Sequence, residues 1–179
     1  TEQDRQSVPE LAFTPDGRSL VTASYDAIVR VWDLDHRSVT GALKGHEGTI
    51  WTVAVSPDGQ LIASAGEDLV ARIWRMSDGA LLHSLKGHTL NIWKARFTPD
   101  SKTLATGSFD KTARLCNVAD GKLIRILRGH AGAIPRLLGW ARCGSIVCGP
   151  CRVGALGARV PSARGSPGAA TSHPRPLAL

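Results

Sequence analysis

The chain has 179 residues, of which 42% are hydrophobic, and this is enough for one globular domain with an appendage. The net charge is +7, but residues 1–129 carry 16 Lys and Arg against 15 Asp and Glu. The remaining residues hold six Arg and no acidic residue. The body of the protein is therefore nearly neutral, which argues against a specific nucleic-acid-binding surface.

Targeting signals do not stand out in the sequence. No apolar run approaches the roughly 18 residues that a membrane span requires, so we expect no membrane association. The first residues do not resemble a secretory signal, and the four cysteines do not form a disulfide framework. These features favour a cytoplasmic location, with the nucleus as the alternative.

The dominant feature is an internal repeat of 42 residues. Residues 45–86 align with residues 87–128 without a gap, and 14 of the 42 positions are identical. Three Gly-His dipeptides, three turn sequences of the type FTPDG or VSPDG, and three stretches of the type VRVWD keep the same spacing. A period of this length is typical of a repeat architecture.

Each repeat unit predicts four short strands. In the second unit these are IWTVAVS, LIASA, VARIWR and LLHSL, and they are separated by turns at PDG, GED and SDG. Strands of about five residues between turns rich in Pro, Asp and Gly are the expected signal of an all-β protein. No stretch has the apolar spacing of an amphipathic helix.

Four strands per unit, with Gly-His near one end and Trp-Asp near the other, resemble the WD-repeat β-propeller family. The resemblance implies four-stranded antiparallel blades at about 7–43, 44–85 and 86–127, followed by the start of a fourth at 128–134. Propellers close with about 4–8 blades, so we expect an open ring of about three blades. That ring would be a fragment, a truncated product, or an array completed by another copy. Open blade edges also predict self-association.

Polar residues that recur with the repeat look at first like a hydrolase triad of Ser, His and Asp. Because they recur in every unit, we favour a structural role in each blade over a single catalytic site. The resemblance implies a buried relay in which a His links a Ser or Thr to an Asp, and a Trp bonds to the hydroxyl. The corresponding residues are His46, Ser64, Asp68 and Trp74 in the second unit, His88, Thr106 and Asp110 in the third, and Thr22, Asp26 and Trp32 in the first.

The relay is complete only in the second unit. The His position of the first unit falls on Asp4, and Cys116 replaces the Trp of the third. We therefore expect the third blade to be more loosely packed than the second, with Thr106 lacking its indole donor. Arg72 and Arg114 recur on the third strands, and we favour solvated side chains over ion pairs with the turn acids.

The resemblance also implies a partner-binding face on the side of the tight turn before the relay Asp. Trp and Tyr are enriched at binding hot spots, and several such residues fall on this side. For the two repeated Trp residues, packing against neighbouring blades is the alternative. The predicted partner-binding residues are Tyr25, Thr49, Trp51, Glu67, Asn91, Trp93 and Phe109.

Residues 135–179 follow a different pattern, rich in Gly, Ala, Pro, Arg and Ser, and are predicted to be disordered. Cys143, Cys148 and Cys151 have the spacing of an iron–sulfur ligand run, but no fourth Cys follows. Zinc with His173 as a fourth ligand is the alternative, and we favour neither, so no metal or cofactor is predicted. A shifted reading frame, an alternative exon and a linker all fit this composition.

The leading functional hypothesis is a non-catalytic scaffold that presents propeller faces to protein or peptide partners. The alternative is a sensor segment of a larger signalling protein that also carries a kinase or NTPase domain. An enzyme is the third hypothesis, because it would need polar residues that break the repeat symmetry and converge, and the sequence reveals none.

Overall fold

The structure is a computed structural model that describes residues 7–134, 137–140 and 146–148. Its main body is three four-stranded antiparallel sheets, each built from consecutive strands paired in chain order. All-β blades of this kind are what the repeat predicted. The first blade contains β1 (Leu11–Phe13), β2 (Ser19–Thr22), β3 (Ile28–Asp33) and β4 (Ser38–Lys44). The second contains β5 (Ile50–Val55), β6 (Leu61–Gly66), β7 (Ala71–Arg75) and β8 (Leu81–Leu85), and the third β9 (Ile92–Phe97), β10 (Thr103–Ser108), β11 (Ala113–Asn117) and β12 (Leu123–Leu127).

The first turn of each blade is built by a hydroxyl residue that stands two positions before an Asp. In the second blade, Ser56 Oγ donates to Asp58 Oδ1 and accepts from the backbone N–H of Leu61 at 2.9 Å. Thr14 and Thr98 make the equivalent bonds in the other two blades. Because the side chains close these turns, the first two strands of each blade are joined in a fixed register.

Neighbouring blades bury their sheet faces against each other. One cluster joins the first two blades through Val21, Val29, Val53, Ile62 and Trp74, and all five side chains are buried. A second cluster joins the second and third blades. The first strands lie side by side, β1 against β5 and β5 against β9. The described body therefore has a separate core at each junction between blades.

The opening of a fourth unit docks on the third blade. Ile134 is fully buried, and its N–H donates to the carbonyl of Ser108 at 3.1 Å. Ile50 makes the same bond to Ser24 of the first blade at 3.2 Å. Beyond this point β13 (Leu137–Trp140) and β14 (Ile146–Cys148) pair as a two-stranded antiparallel sheet. These two apolar stretches lie in a segment for which the sequence predicted no regular structure.

No helix in the described ranges is long and apolar enough to cross a membrane.

Candidate functional site: a relay in each blade and an aromatic face

The second blade contains a complete hydrogen-bonded relay. Trp74 Nε1 donates to Ser64 Oγ at 2.8 Å, and the same hydroxyl lies 2.7 Å from His46 Nε2. His46 Nδ1 lies 2.9 Å from Asp68 Oδ2. Ser64 Oγ accepts the indole proton and has both a proton and a second lone pair to pair with His46 Nε2. His46 Nδ1 faces Asp68 Oδ2 and also lies 2.7 Å from a guanidinium nitrogen of Arg72. Every polar atom in the chain from Trp74 to Asp68 is thereby paired.

The electrostatics of this relay keep Asp68 ionised. Burial acts to raise the pKa of Asp68, but hydrogen bonds and favourable electrostatics from His46 and Arg72 outweigh it and hold the pKa well below its usual value. Arg72 donates to the same Oδ2, and its side chain is 12% exposed. The expectation of a solvated Arg72 is therefore wrong, because the guanidinium is attracted to a nearly buried carboxylate.

The geometry of the relay does not provide a nucleophile. Ser64 has a relative exposure of 0%, and its hydroxyl is occupied by the indole on one side and the imidazole on the other. A triad serine has to reach a substrate carbonyl, which this burial prevents. The relay therefore fixes the loop before β5 and the turn after β6 relative to the sheet.

The third blade has the same relay without its indole. His88 Nε2 lies 2.9 Å from Thr106 Oγ1, and His88 Nδ1 lies 2.7 Å from Asp110 Oδ2. Cys116, where the Trp would be, is buried and makes no hydrogen bond to Thr106 among the described contacts. Burial lowers the pKa of His88 although pairing with Asp110 opposes the shift, so the imidazole is neutral at neutral pH.

Arg114 lies in a different place in the third blade from that of Arg72 in the second. A Cβ atom added to Gly45 of the second blade would meet the ring of Trp74 at Cη2. A Cβ atom added to Gly87, the equivalent residue of the third blade, would meet the guanidinium of Arg114 instead. Arg114 donates to the Gly87 carbonyl, and its buried Nε has no partner within the part of the chain that the structure describes. It makes no ion pair with Asp110 in the described contacts, unlike Arg72 with Asp68. With Cys116 in place of the Trp, the described contacts of the third blade include neither an indole hydrogen bond to Thr106 nor an ion pair between Arg114 and Asp110.

The first blade retains the hydroxyl, carboxylate and indole of the relay. Trp32 Nε1 donates to Thr22 Oγ1 at 3.0 Å, and Arg30 pairs with Asp26 Oδ2 at 2.6 Å. The His position, Asp4, lies outside the described residues.

Four aromatic rings form a continuous row across the three blades. Trp51 and Trp93 stack with their ring centroids 5.2 Å apart and their planes 11° from parallel. Tyr25 meets Trp51 edge-on at 5.4 Å, and Phe109 meets Trp93 edge-on at 5.1 Å. Offset stacks and edge-to-face contacts at these distances are favourable. We call these four residues the aromatic row.

The remaining predicted partner residues lie beside the aromatic row. Glu67 Oε2 accepts from the backbone N–H of Thr49 at 3.0 Å, so the Glu67 side chain is bonded to the loop before β5. The Asn91 carbonyl accepts from Ser108 Oγ at 2.9 Å and from the N–H of Phe109 at 3.0 Å. Two of the seven predicted residues, Trp51 and Trp93, lie at the start of the first strands, and the others come from the loops before those strands and the tight turns before the relay Asp.

Two indole groups of the aromatic row have no hydrogen-bond acceptor among the described residues. Nε1 of Trp51 and Nε1 of Trp93 are both buried there without a partner. An unpaired buried donor costs about 1–3 kcal/mol, so the row is not at its optimum in hydrogen bonding. Phe109 is 39% exposed, which leaves apolar ring surface open at one end.

A charged cluster at the first strands was missed by the sequence analysis. Glu10 Oε1 accepts from Lys94 Nζ and from a guanidinium nitrogen of Arg96, so the first and third blades are joined past the second. The expectation that no polar residues break the repeat symmetry and converge is therefore wrong. Glu10, Thr52 and Lys94 occupy the same position in successive repeats. The change there from an acidic to a neutral to a basic residue could have indicated this charged cluster in the sequence.

The residues with metal-ligand spacing, for which no metal site was predicted, lie outside the side chains that the structure describes. Cys143, Cys151 and His173 lie outside the described residues, as does the side chain of Cys148. Within the described part of the chain, no three His, Cys, Asp or Glu side chains are grouped as metal ligands would be.

Comparison with known proteins agrees with this geometry. The family model "WD domain, G-beta repeat" matches residues 3–33, 37–75 and 79–117. Two solved structures, of U3-55K and of the RRP9 WD40 repeats, each match with a TM-score of 0.70 and 24% identity over 72% of this chain. The general transcriptional corepressor TUP1 of Saccharomyces cerevisiae is 35% identical over 46 residues, or 26% of this chain.

The blades and their relays define a β-propeller repeat protein. Since the family model matches more than half of the sequence, the chain belongs to the WD40 repeat family. It spans 41% of each of the two solved chains and 6% of the corepressor.

Removing the buried indole should destabilise the second blade. We expect Trp74→Ala to lower the free energy of unfolding by about 3–5 kcal/mol, because it leaves a cavity and deprives Ser64 of its donor. Chemical denaturation measures the change. Trp32→Ala is the matched control and should cost less, because Trp32 is only partly buried. Equal costs would show that relay burial does not set the stability.

Restoring the indole should stabilise the third blade. Cys116→Trp supplies a donor to Thr106 and displaces Arg114 toward Asp110, and we expect the free energy of unfolding to rise by about 1–2 kcal/mol. The double variant Cys116→Trp/Thr106→Val should lose the hydrogen-bond part of this gain. A fall in stability would mean that the site is too tight for an indole.

Acid should destabilise the third blade through Asp110. Burial acts to raise the pKa of Asp110, but hydrogen bonds from Thr112 and His88 prevail and lower it from 3.8 to about 2. The stabilisation is therefore complete above 3.8 and is lost as the pH falls toward 2, and it amounts to about 2 kcal/mol. Urea unfolding across this window should show a shallower pH dependence for Asp110→Asn than for the natural chain. Parallel curves would contradict the assignment.

Proposed function

We propose that this chain is a non-catalytic interaction scaffold that binds a protein or peptide partner on the aromatic row. The row itself carries the proposal, because it places four large rings from three blades side by side. Aromatic anchors of this kind dominate binding energy, since they bury much area with few rotatable bonds. The WD40 family membership supports the same function at the level of class.

The partner contacts the ring surfaces of the aromatic row rather than the indole N–H groups. Nε1 of Trp51 and Nε1 of Trp93 are both buried, so a group docked on the folded surface does not reach them. Apolar or aromatic side chains of an extended peptide pack on such a surface. Glu67 and Asn91 stand beside the rings as polar residues at the rim, where they would contribute more to selectivity than to affinity.

The relays support this surface without taking part in it. Asp68 and Asp110 end the turns that carry Glu67 and Phe109, and each is fixed by an imidazole. The backbone that positions the row is therefore held by buried hydrogen bonds, which limits the ordering cost on binding. Self-association through open blade edges and a cytoplasmic or nuclear location remain predictions from the sequence.

Selection of peptides by the wild-type chain tests the proposal. A displayed library of random peptides, panned on the immobilised chain, should yield binders whose affinity falls at least tenfold with Trp51→Ala or Trp93→Ala, as expected for hot-spot residues. Trp93→Phe should give a smaller loss, because it keeps an aromatic ring in the row.

Phe13→Ala is the matched control for the loss of an aromatic side chain. Phe13 is 61% exposed but lies on the first strand, away from the row. Its variant should bind the selected peptides as the wild type does, and thermal unfolding should show that all variants are folded. Peptides that bind equally well to both Trp variants would overturn the proposal.

A further inference from the structure

A carboxylate lies beside the aromatic row, in the middle blade. The residue before the relay Asp has the same repeat position in every blade, and it is Tyr25 in the first, Glu67 in the second and Phe109 in the third. Tyr25 and Phe109 supply rings to the row, each edge-on to a Trp. Glu67 therefore places an acidic group where the two flanking blades have a ring.

The carboxylate of Glu67 is held in place by the loop before β5. Its Oε2 accepts from the backbone N–H of Thr49 at 3.0 Å, and the N–H of Glu67 donates to the Thr49 carbonyl at 3.0 Å. A Cβ atom added to Gly48 would lie 3.2 Å from the same Oε2, so the side chain packs against that glycine. A side chain that is already positioned in this way needs little further ordering when it binds a ligand.

Glu67 has no cationic partner among the described residues, although it is exposed. Asp26 and Asp68, which stand in the same tight turns, each form an ion pair with an arginine of the following strand. Glu47, in the loop before β5, is also exposed and forms no ion pair within the described ranges. The loop before β9, residues 89–91, contains no charged residue. This side of the aromatic row therefore carries negative charge that no described group neutralises.

Apolar surface lies close to this charge. Leu90, in the loop before β9, is 51% exposed, and β9 contacts the strand that leads into the turn of Glu67. Trp51 and Trp93 are partly buried and stack on each other, so their rings present edges to the surface. A ligand group that fits both features has an apolar stem and a positively charged end. Lys and Arg side chains have this construction, because their methylene stems cover apolar surface while the charged end stays in water or in an ion pair.

We propose that the peptide partner of the aromatic row carries an Arg or Lys whose charged end pairs with Glu67 while its stem lies on the edges of the rings. The inference rests on the proposed function, since it assigns a chemistry to the partner of the same surface. Glu67 retains acceptor capacity for this pairing, because a carboxylate has about four lone-pair sites and only Oε2 makes a described hydrogen bond. Charge complementarity of this kind contributes mainly to the selection of partners, and it disfavours acidic peptides.

Parallel selection on the full chain tests the inference. One library of random peptides is panned on the wild type and on Glu67→Gln, which keeps a carbonyl oxygen for the Thr49 N–H and removes the charge. Peptides from the wild type should be enriched in Arg and Lys relative to the starting library, and peptides from Glu67→Gln should not. No enrichment on the wild type, or the same enrichment on both, would overturn the inference.

Asp35→Asn is the matched control for the loss of a carboxylate. Asp35 is also exposed, but it lies in the turn after β3, at the other end of the sheet from the tight turns. This variant should select the same Arg-rich and Lys-rich peptides as the wild type. A loss of the enrichment in Asp35→Asn would show that net charge rather than Glu67 selects the peptides, and this result would also overturn the inference.

A selected peptide then allows the pair itself to be measured. Citrulline in place of its Arg, or norleucine in place of its Lys, keeps the stem and removes the charge. Affinity for the wild type should fall roughly fivefold, the upper range for an exposed ion pair, and this loss should shrink as salt is added. The same replacement should have little effect on binding to Glu67→Gln. An equal loss on both forms would place the basic side chain elsewhere and contradict the pairing.

The inference and the proposed function fail in different ways. Peptides that depend on Trp51 and Trp93 but show no preference for Arg or Lys would overturn the basic partner and leave the scaffold function standing. Peptides that bind both Trp variants as well as the wild type would overturn the scaffold function, and the basic partner with it. Thermal unfolding of each variant should show that the chain is folded in every comparison.

Discussion

Each blade of this protein is stable only because a neighbour covers its sheet. Each sheet is only four short strands wide, and the buried apolar residues cluster at the junctions between blades. Ile50, Ile92 and Ile134 are each fully or almost fully buried at the start of a new unit. Repeat proteins in general gain their stability from such nearest-neighbour contacts. The shape of the face that carries the aromatic row therefore depends on how the blades stack.

The relays fix the loops and turns of that face relative to the sheets. A buried imidazole that bridges a hydroxyl and a carboxylate connects the loop before the first strand to the turn after the second. It does so at a depth where an unpaired group would be costly, which makes the arrangement rigid when complete. The second blade is complete, whereas the first lacks an imidazole among its described groups and the third lacks an indole. The most complete network thus lies in the second blade, which also carries Trp51 and Glu67.

The repeat made much of the fold predictable. Turn residues and strand periodicity recur in register, so one clear unit located the strands of the others, and the resemblance to WD repeats supplied the hydrogen-bonding pattern. What could not be predicted depends on contacts between side chains that the repeat does not relate. Arg114 turns to Gly87 because Cys116 leaves space, and Glu10 reaches Lys94 because two blades bring their first strands close. Trp51 and Trp93 stack on each other across the junction between the second and third blades, as the packing alternative predicts, and their role in recognition stays a prediction.

The three blades all contribute rings to the aromatic row, so the relative positions of the rings depend on how the blades pack against each other. Tyr25 belongs to the first blade, Trp51 to the second, and Trp93 and Phe109 to the third, and their mutual contacts are also contacts between blades. A ligand that touched the whole row would bind only the stacked arrangement, so by linkage it would stabilise the junctions by an amount that grows with its concentration relative to its Kd. The converse also holds, since any change that loosens a junction moves one ring relative to the next. The affinity for such a ligand and the stability of the junctions between blades would therefore depend on the same contacts.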